Sequence, residues 1–97
     1  MSKITKSARG KECTIRIPDV CCWNPETTVF AHYRMATLNG VSMKPDDIFG
    51  AYACFECHNA LDRRSHTDLD GDYLRLLHLE GVLRTQAQLK AAGLIKA

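Results

Sequence analysis

No stretch of this sequence approaches the roughly 20 consecutive apolar residues that a membrane-spanning helix needs. Its opening, MSKITKSARGKEC, carries basic side chains but no apolar run. Neither a bilayer-spanning protein nor a secretory leader is expected, and the chain reads as cytoplasmic. Internal repeats and low-complexity segments are absent. Proline is scarce, at 3 residues, and 45 % hydrophobic against 25 % charged residues excludes disorder along the whole chain. No excess of one charge exists either. Against 13 Lys and Arg stand 11 Asp and Glu, a net of +2, which alone neither requires nor excludes a nucleic-acid partner. With 97 residues there is material for one domain, residues 1–97, and one core. A chain this short buries only about 60–65 % of its unfolded surface, so its margin of stability is thin.

What charge there is lies unevenly. Lys3, Lys6, Arg9, Lys11 and Arg16 face only Glu12 within the first 16 residues. Such an arm suits a polyanionic partner, or is a solvated, frayed terminus, and residues 1–11 read as a basic, flexible lead-in. Ile15 and Ile17 alternate with polar residues before Pro18, the pattern of a short strand closed by a turn. After a turn at Trp23–Glu26, the β-branched and aromatic run Thr27–Tyr33 predicts a strand with His32 near its end. Asn39-Gly40 and Lys44-Pro45 mark a loop, and Ile48–Ala53 is a short strand or the approach to a metal knuckle. A helix is expected from Phe55 to about Ser65, and another after Asp72 as N-cap. In the latter Tyr73, Leu74, Leu76, Leu77, Leu79, Val82 and Leu83 form an apolar stripe, with Gly81 dividing the segment and Gly93 closing it so that Leu94 and Ile95 fold back. This last third reads as scaffold, with Trp23 and Tyr73 assigned to the core because no aromatic–basic interleaving suggests a stacking platform.

Five cysteines are the strongest feature of the composition. An odd count without a leader argues against a disulfide framework, and cysteines at this density in a reducing compartment point to metal. Cys54-Phe55-Glu56-Cys57 is a CxxC, whose turn can aim two thiolates at one ion, and Cys13 and Cys21 close the ends of one excursion. A structural, tetrahedral zinc site at Cys13, Cys21, Cys54 and Cys57 is therefore expected, with Cys22 left out because it points to the opposite side of an extended backbone. A redox CxxC would need a βαβ context that is missing. Four thiolates close the shell, so this metal holds the fold and leaves no position for chemistry.

His58, Asp62 and His66 fall at i, i+4 and i+8 of the first predicted helix, along one face. They can share a divalent ion, or form surface pairs without one. His32, taken alone, is an ordinary strand histidine. The order is more telling: a strand histidine, a cysteine knuckle, then a helix histidine.

That order, together with residues 8–22 (ARGKECTIRIPDVCC), 24–34 (NPETTVFAHYR), 54–66 (CFECHNALDRRSH) and the tail (EGVLRTQ…GLIKA), resembles the small YbcO-type nucleases of lambdoid phages and prophages over nearly the whole chain. That family is similar to the HNH, or ββα-metal, endonucleases with a structural zinc, a group that includes phage junction resolvases of the endonuclease VII kind. The resemblance implies an α+β, zinc-stabilised ββα-metal domain with C-terminal helices. It implies that His32 is the general base, that His58 ligates a catalytic Mg2+ or Mn2+ with Asp62 one turn on as a second ligand, and that the four cysteines hold Zn2+; with Ala31 before the base, either Asp62 and His66 complete the shell, or metal binding is weak, or the activity is lost. Ala31 departs from the pattern, since the residue before the base is often a metal ligand, and the middle Asn is replaced by Asp47 or Asn59. Arg34, Arg63 and Arg64, with Lys44, are either phosphate contacts or solvated side chains.

The expected function is metal-dependent cleavage of DNA, at branches or nicks rather than at a sequence, since no helix offers an exposed base-reading face. The cell would be a bacterial host, and a homodimer through segment 73–83 is open. The rival is a non-catalytic zinc module that binds nucleic acid or a phage recombination or packaging partner. It explains Ala31 better.

Overall fold

A computed structural model describes residues 3–33, 47–62 and 69–95. Its elements are α1 (Lys3–Lys6), β1 (Val29–His32), β2 (Gly50–Ala53), α2 (Phe55–Leu61) and α3 (Gly71–Ala91), with 3-10 turns at Pro25–Thr27 and Asp47–Phe49. The class is α+β. Among the described residues no helix is long and apolar enough to cross a membrane.

The two strands pair antiparallel, Val29 opposite Ala53 and His32 opposite Gly50. One face carries Ala31, Ala51 and Ala53 against Ile15, Ile17, Leu74, Val82 and the cysteines. The other joins Tyr52 and Phe30 with Ala8, Leu89, Ile4, Leu94 and Ile95. Small residues on the first face let α3 come close. A Cβ on Gly81 would lie 2.9 Å from Ile15 Cγ1 and 3.3 Å from Ala51 Cβ. Gly81 therefore does not divide the segment as expected: α3 runs unbroken, and the glycine marks its closest approach to the sheet. Gly50 works likewise, since the Phe30 ring fills the place of its missing side chain.

Several expectations are corrected. The helix cap is Asp70, two residues earlier than predicted, its carboxylate accepting from the backbone N–H groups of Asp72 and Tyr73. The first helix ends at Leu61 rather than near Ser65. Residues 14–17 form no strand: Arg16 adopts φ 57°, which breaks the extended ladder while still burying Ile15 and Ile17. The amino-terminal segment is not a bare lead-in, because Ala8 is buried and the Ser7 hydroxyl lies 2.9 Å from that of Tyr52. Trp23 and Tyr73 are not core; Trp23 is 59 % exposed, with the Arg16 guanidinium 6.0 Å from its ring. Leu76, Leu79 and Leu83 also face outward. The Gly93 cap holds as expected, at φ 75° with the Leu94 N–H donating to Leu89 O at 2.9 Å.

Beside β2, the backbone of Tyr52 is satisfied by a closed ring of hydrogen bonds. Its N–H donates to Thr85 Oγ1 at 3.1 Å, and its carbonyl accepts from Thr14 Oγ1 at 3.0 Å. The hydroxyls lie 2.9 Å apart. Since the Thr14 proton goes to the carbonyl, Thr85 must donate to Thr14. Thr85→Val keeps the shape but orphans a buried N–H, with an expected loss of about 1–3 kcal/mol in chemical denaturation, whereas Thr85→Ser retains most of the stability. Equal stability of the valine variant and the wild type would remove the ring as a fold determinant.

Candidate functional site

The excursion from Cys13 to Cys21 returns beside the start of α2, where Cys54 is the N-cap and its sulfur accepts from the Cys57 N–H. The ligand atoms of Cys13, Cys21, Cys54 and Cys57 all lie within 4.8 Å of one another. Cys54 Sγ and Cys21 Sγ are 3.7 Å apart. Four sulfurs about 2.3 Å from a tetrahedral centre stand about 3.8 Å apart, so the donor set fits zinc. Protons are shared unequally. The Cys57 thiol donates to Cys13, whose pKa is lowered to about 4, while that hydrogen bond and burial push Cys57 up. Burial raises Cys21 to about 12. Cys22 is not among the four; it is exposed, its sulfur 3.6 Å from Thr27 Oγ1.

His32 ends β1 opposite Gly50, with the Phe30 ring edge-on at 5.2 Å. Its Nε2 lies 2.9 Å from Asp47 Oδ1 in the turn before β2, and the ring is only 10 % exposed. An ionised carboxylate can only accept, so Nε2 carries the proton and Nδ1 is left as the ring's acceptor. One turn of α2 brings His58 Nε2 to 3.4 Å from Asp62 Oδ2. A small cavity of about 150 Å3 is lined by His32, His58 and Asp62 together with Ala31 and His78. Three residues expected at one site thus meet. Their atoms are not as tightly gathered as the sulfurs: among the described residues the cysteines alone form a compact set of three or more metal-ligating side chains. Arg34, Arg63, Arg64, His66 and Lys44 lie outside the described residues.

Ala31 sits in the core at 5 % exposure, and its carbonyl lies 3.0 Å from His78 Nε2. The position before His32 therefore contributes backbone, not a ligand. His78 is neutral by burial, which pushes its pKa down. Sequence reading passed over it, although a histidine four residues from Leu74 and from Val82 on the buried stripe was the available signal. Arg75 was missed too. Its guanidinium lies 5.1 Å above the Tyr33 ring and donates to the Tyr33 hydroxyl at 3.1 Å, on the wall of a cleft shared with His32 and Asp62.

The family model described as "Putative nuclease YbcO" matches residues 2–94. Proteins of that name from Escherichia coli K12 and from Enterobacteria phage 82 are each 46 % identical over 97 residues, covering the whole of both chains. A solved structure, of a putative bacteriophage protein from Escherichia coli K-12 MG1655, superposes with TM-score 0.78 at 44 % identity, over 93 % of this chain and 99 % of that one. With its length matched almost end to end, the chain belongs to the "Putative nuclease YbcO" family.

Proposed function

We propose that this protein is a metal-dependent endonuclease of the HNH, or ββα-metal, kind, with DNA as its substrate. The observation that carries the reading is a cavity lined by His32, His58 and Asp62 together, reached through the chain order β1, β2, α2. The names of the relatives support a nucleic-acid substrate. His32, oriented by Asp47, takes a proton from the attacking water on Nδ1. His58 and Asp62 would hold Mg2+ or Mn2+ through one nitrogen and one carboxylate oxygen, a donor set suited to an ion that keeps several waters. Such an ion supplies charge stabilisation at the pentavalent phosphate and the leaving oxygen. The cysteine cluster holds zinc as a structural element at the foot of α2 and leaves the cavity to catalysis.

The burial of Ala31 favours the second reading, a non-catalytic zinc module on nucleic acid. Cleavage of supercoiled and branched DNA by zinc-loaded protein separates the two. Nicking is expected only with added Mg2+ or Mn2+, and Asp62→Asn is expected to raise the metal concentration needed by at least about tenfold. Binding without cleavage of any substrate would leave the module.

A further inference from the structure

Two clefts flank the His32 ring and share it as a common wall. One, of about 420 Å3, continues past Tyr33 and Asp62 to Arg75 on α3. The other, of about 850 Å3, runs between β1 and the amino-terminal segment, with Lys6, Arg9, Thr27 and Thr28 on its walls. We propose that they form one track for a nucleic-acid backbone, in which Arg75 holds a phosphate on one side of His32 and Lys6 and Arg9 hold phosphates on the other. The proposal takes the phosphate beside His32 from the nuclease reading, but its test does not depend on cleavage.

Arg75 is prepared for this role. Tyr33 is buried, its backbone N–H donates to Phe49 O at 2.7 Å, and His78 packs against its ring at 5.1 Å. Arg75 stacks on that fixed platform and uses one of its donors on a neutral phenol. Its charge and the remaining fork stay available to a phosphate, with little side-chain freedom left to lose. Across His32, Lys6 and Arg9 are exposed but anchored, because α1 and Ala8 pack on the sheet. Carboxylates also line the clefts, Asp62 and Asp72 on the Arg75 side and Glu26 on the other, so the pull on a polyanion comes from the three named cations and not from a general basic surface.

The test is the salt dependence of binding, followed by fluorescence anisotropy with a labelled single strand and with the same sequence as a duplex, without added Mg2+ or Mn2+. Each phosphate contact contributes about 0.7 to the slope of log K against log salt on single strands and about 0.9 on duplex. Arg75→Gln is expected to lower the slope by about one such contact and the Lys6→Gln/Arg9→Gln double variant by about two. Arg75→Lys restores the slope, and Lys90→Gln, outside both clefts, leaves it unchanged. Unmoved slopes in the cleft variants, an equal fall in Lys90→Gln, or no binding of either probe by the wild type would overturn the track. Protein that binds with these slopes yet cuts nothing keeps the track and removes the nuclease reading; cutting with unmoved slopes does the reverse.

Discussion

Stripping zinc from the purified protein, or replacing Cys57 with Ser, is expected to abolish its cooperative thermal transition. Cys13, Cys54 and Cys57 are buried within the main core, not appended to it. The segment they tie down is not held by regular structure: it has left-handed residues at Arg16 and Asp19 and reaches the sheet through few backbone bonds, one of them the Thr14 N–H to Tyr52 O at 2.8 Å. A structural zinc contributes on the order of 10 kcal/mol, about as much as the entire stability of a small domain. Metal analysis should find one zinc per chain, and circular dichroism of the chelated protein should show a broad, non-cooperative melt. Cys22→Ser should keep both the zinc and the transition, since that exposed sulfur is not one of the four gathered together. The sign with pH follows from the thiols. Cys57 and Cys21 hold their protons in the metal-free fold, whereas Cys13, at about 4, has already lost its own. Zinc must expel the protons that the thiols still hold, so the bound state carries fewer, and affinity rises with pH and falls on acidification. A Cys57→Ser protein that melts within a few degrees of the wild type would show that packing alone holds the fold.

The gathering of Cys13, Cys21, Cys54 and Cys57 was legible because metal geometry is local: a CxxC at a helix start and two cysteines flanking one excursion leave few alternatives. Strand β1 and helix α2 were legible from the β-branched residues before His32 and the knuckle before Phe55, while β2 stood open between a strand and the approach to that knuckle. Helix α3 was not. Its leucines suggest the buried face, yet Leu76, Leu79 and Leu83 are outside, while Gly81, Thr85 and His78 are turned toward the sheet. Hydrophobicity ranks a leucine above a glycine or threonine, but here the contact is set by how near the helix can approach Ile15 and Ala51 and by what can satisfy the Tyr52 backbone. Arg75 and His78 were missed for the same cause, since a helix taken for scaffold was not searched for chemistry. The partnership of His32 with Asp47, 15 positions on, was only half visible: Asp47 stood as one of two substitutes for the missing Asn, with no sign that it would fix the ring.

Replacing His32 with Ala is expected to lower the rate of DNA cleavage by about 10²–10⁴-fold, the usual contribution of a positioned general base, with zinc content and DNA affinity unchanged. The ring is suited to that task by its surroundings. It is nearly enclosed, the Phe30 ring stands edge-on to it, and in the proposed mechanism the Asp47 carboxylate holds the proton on Nε2 and leaves Nδ1 as the acceptor. Asp47→Asn preserves the size of the partner but lets an amide donate to the ring and reverse the tautomer. A fall of similar order is expected there, carried by kcat and not by KM, because orientation and proton acceptance are lost while substrate binding is not. The metal concentration needed for cleavage should rise in Asp62→Asn and stay unchanged in His32→Ala, which separates a metal ligand from a base. Equal cleavage by wild type and His32→Ala would place the base elsewhere. DNA binding by both, with cleavage by neither in Mg2+ or Mn2+, would mean that Ala31, buried beside a histidine with nothing to activate, marks a zinc-held binding module on the same fold.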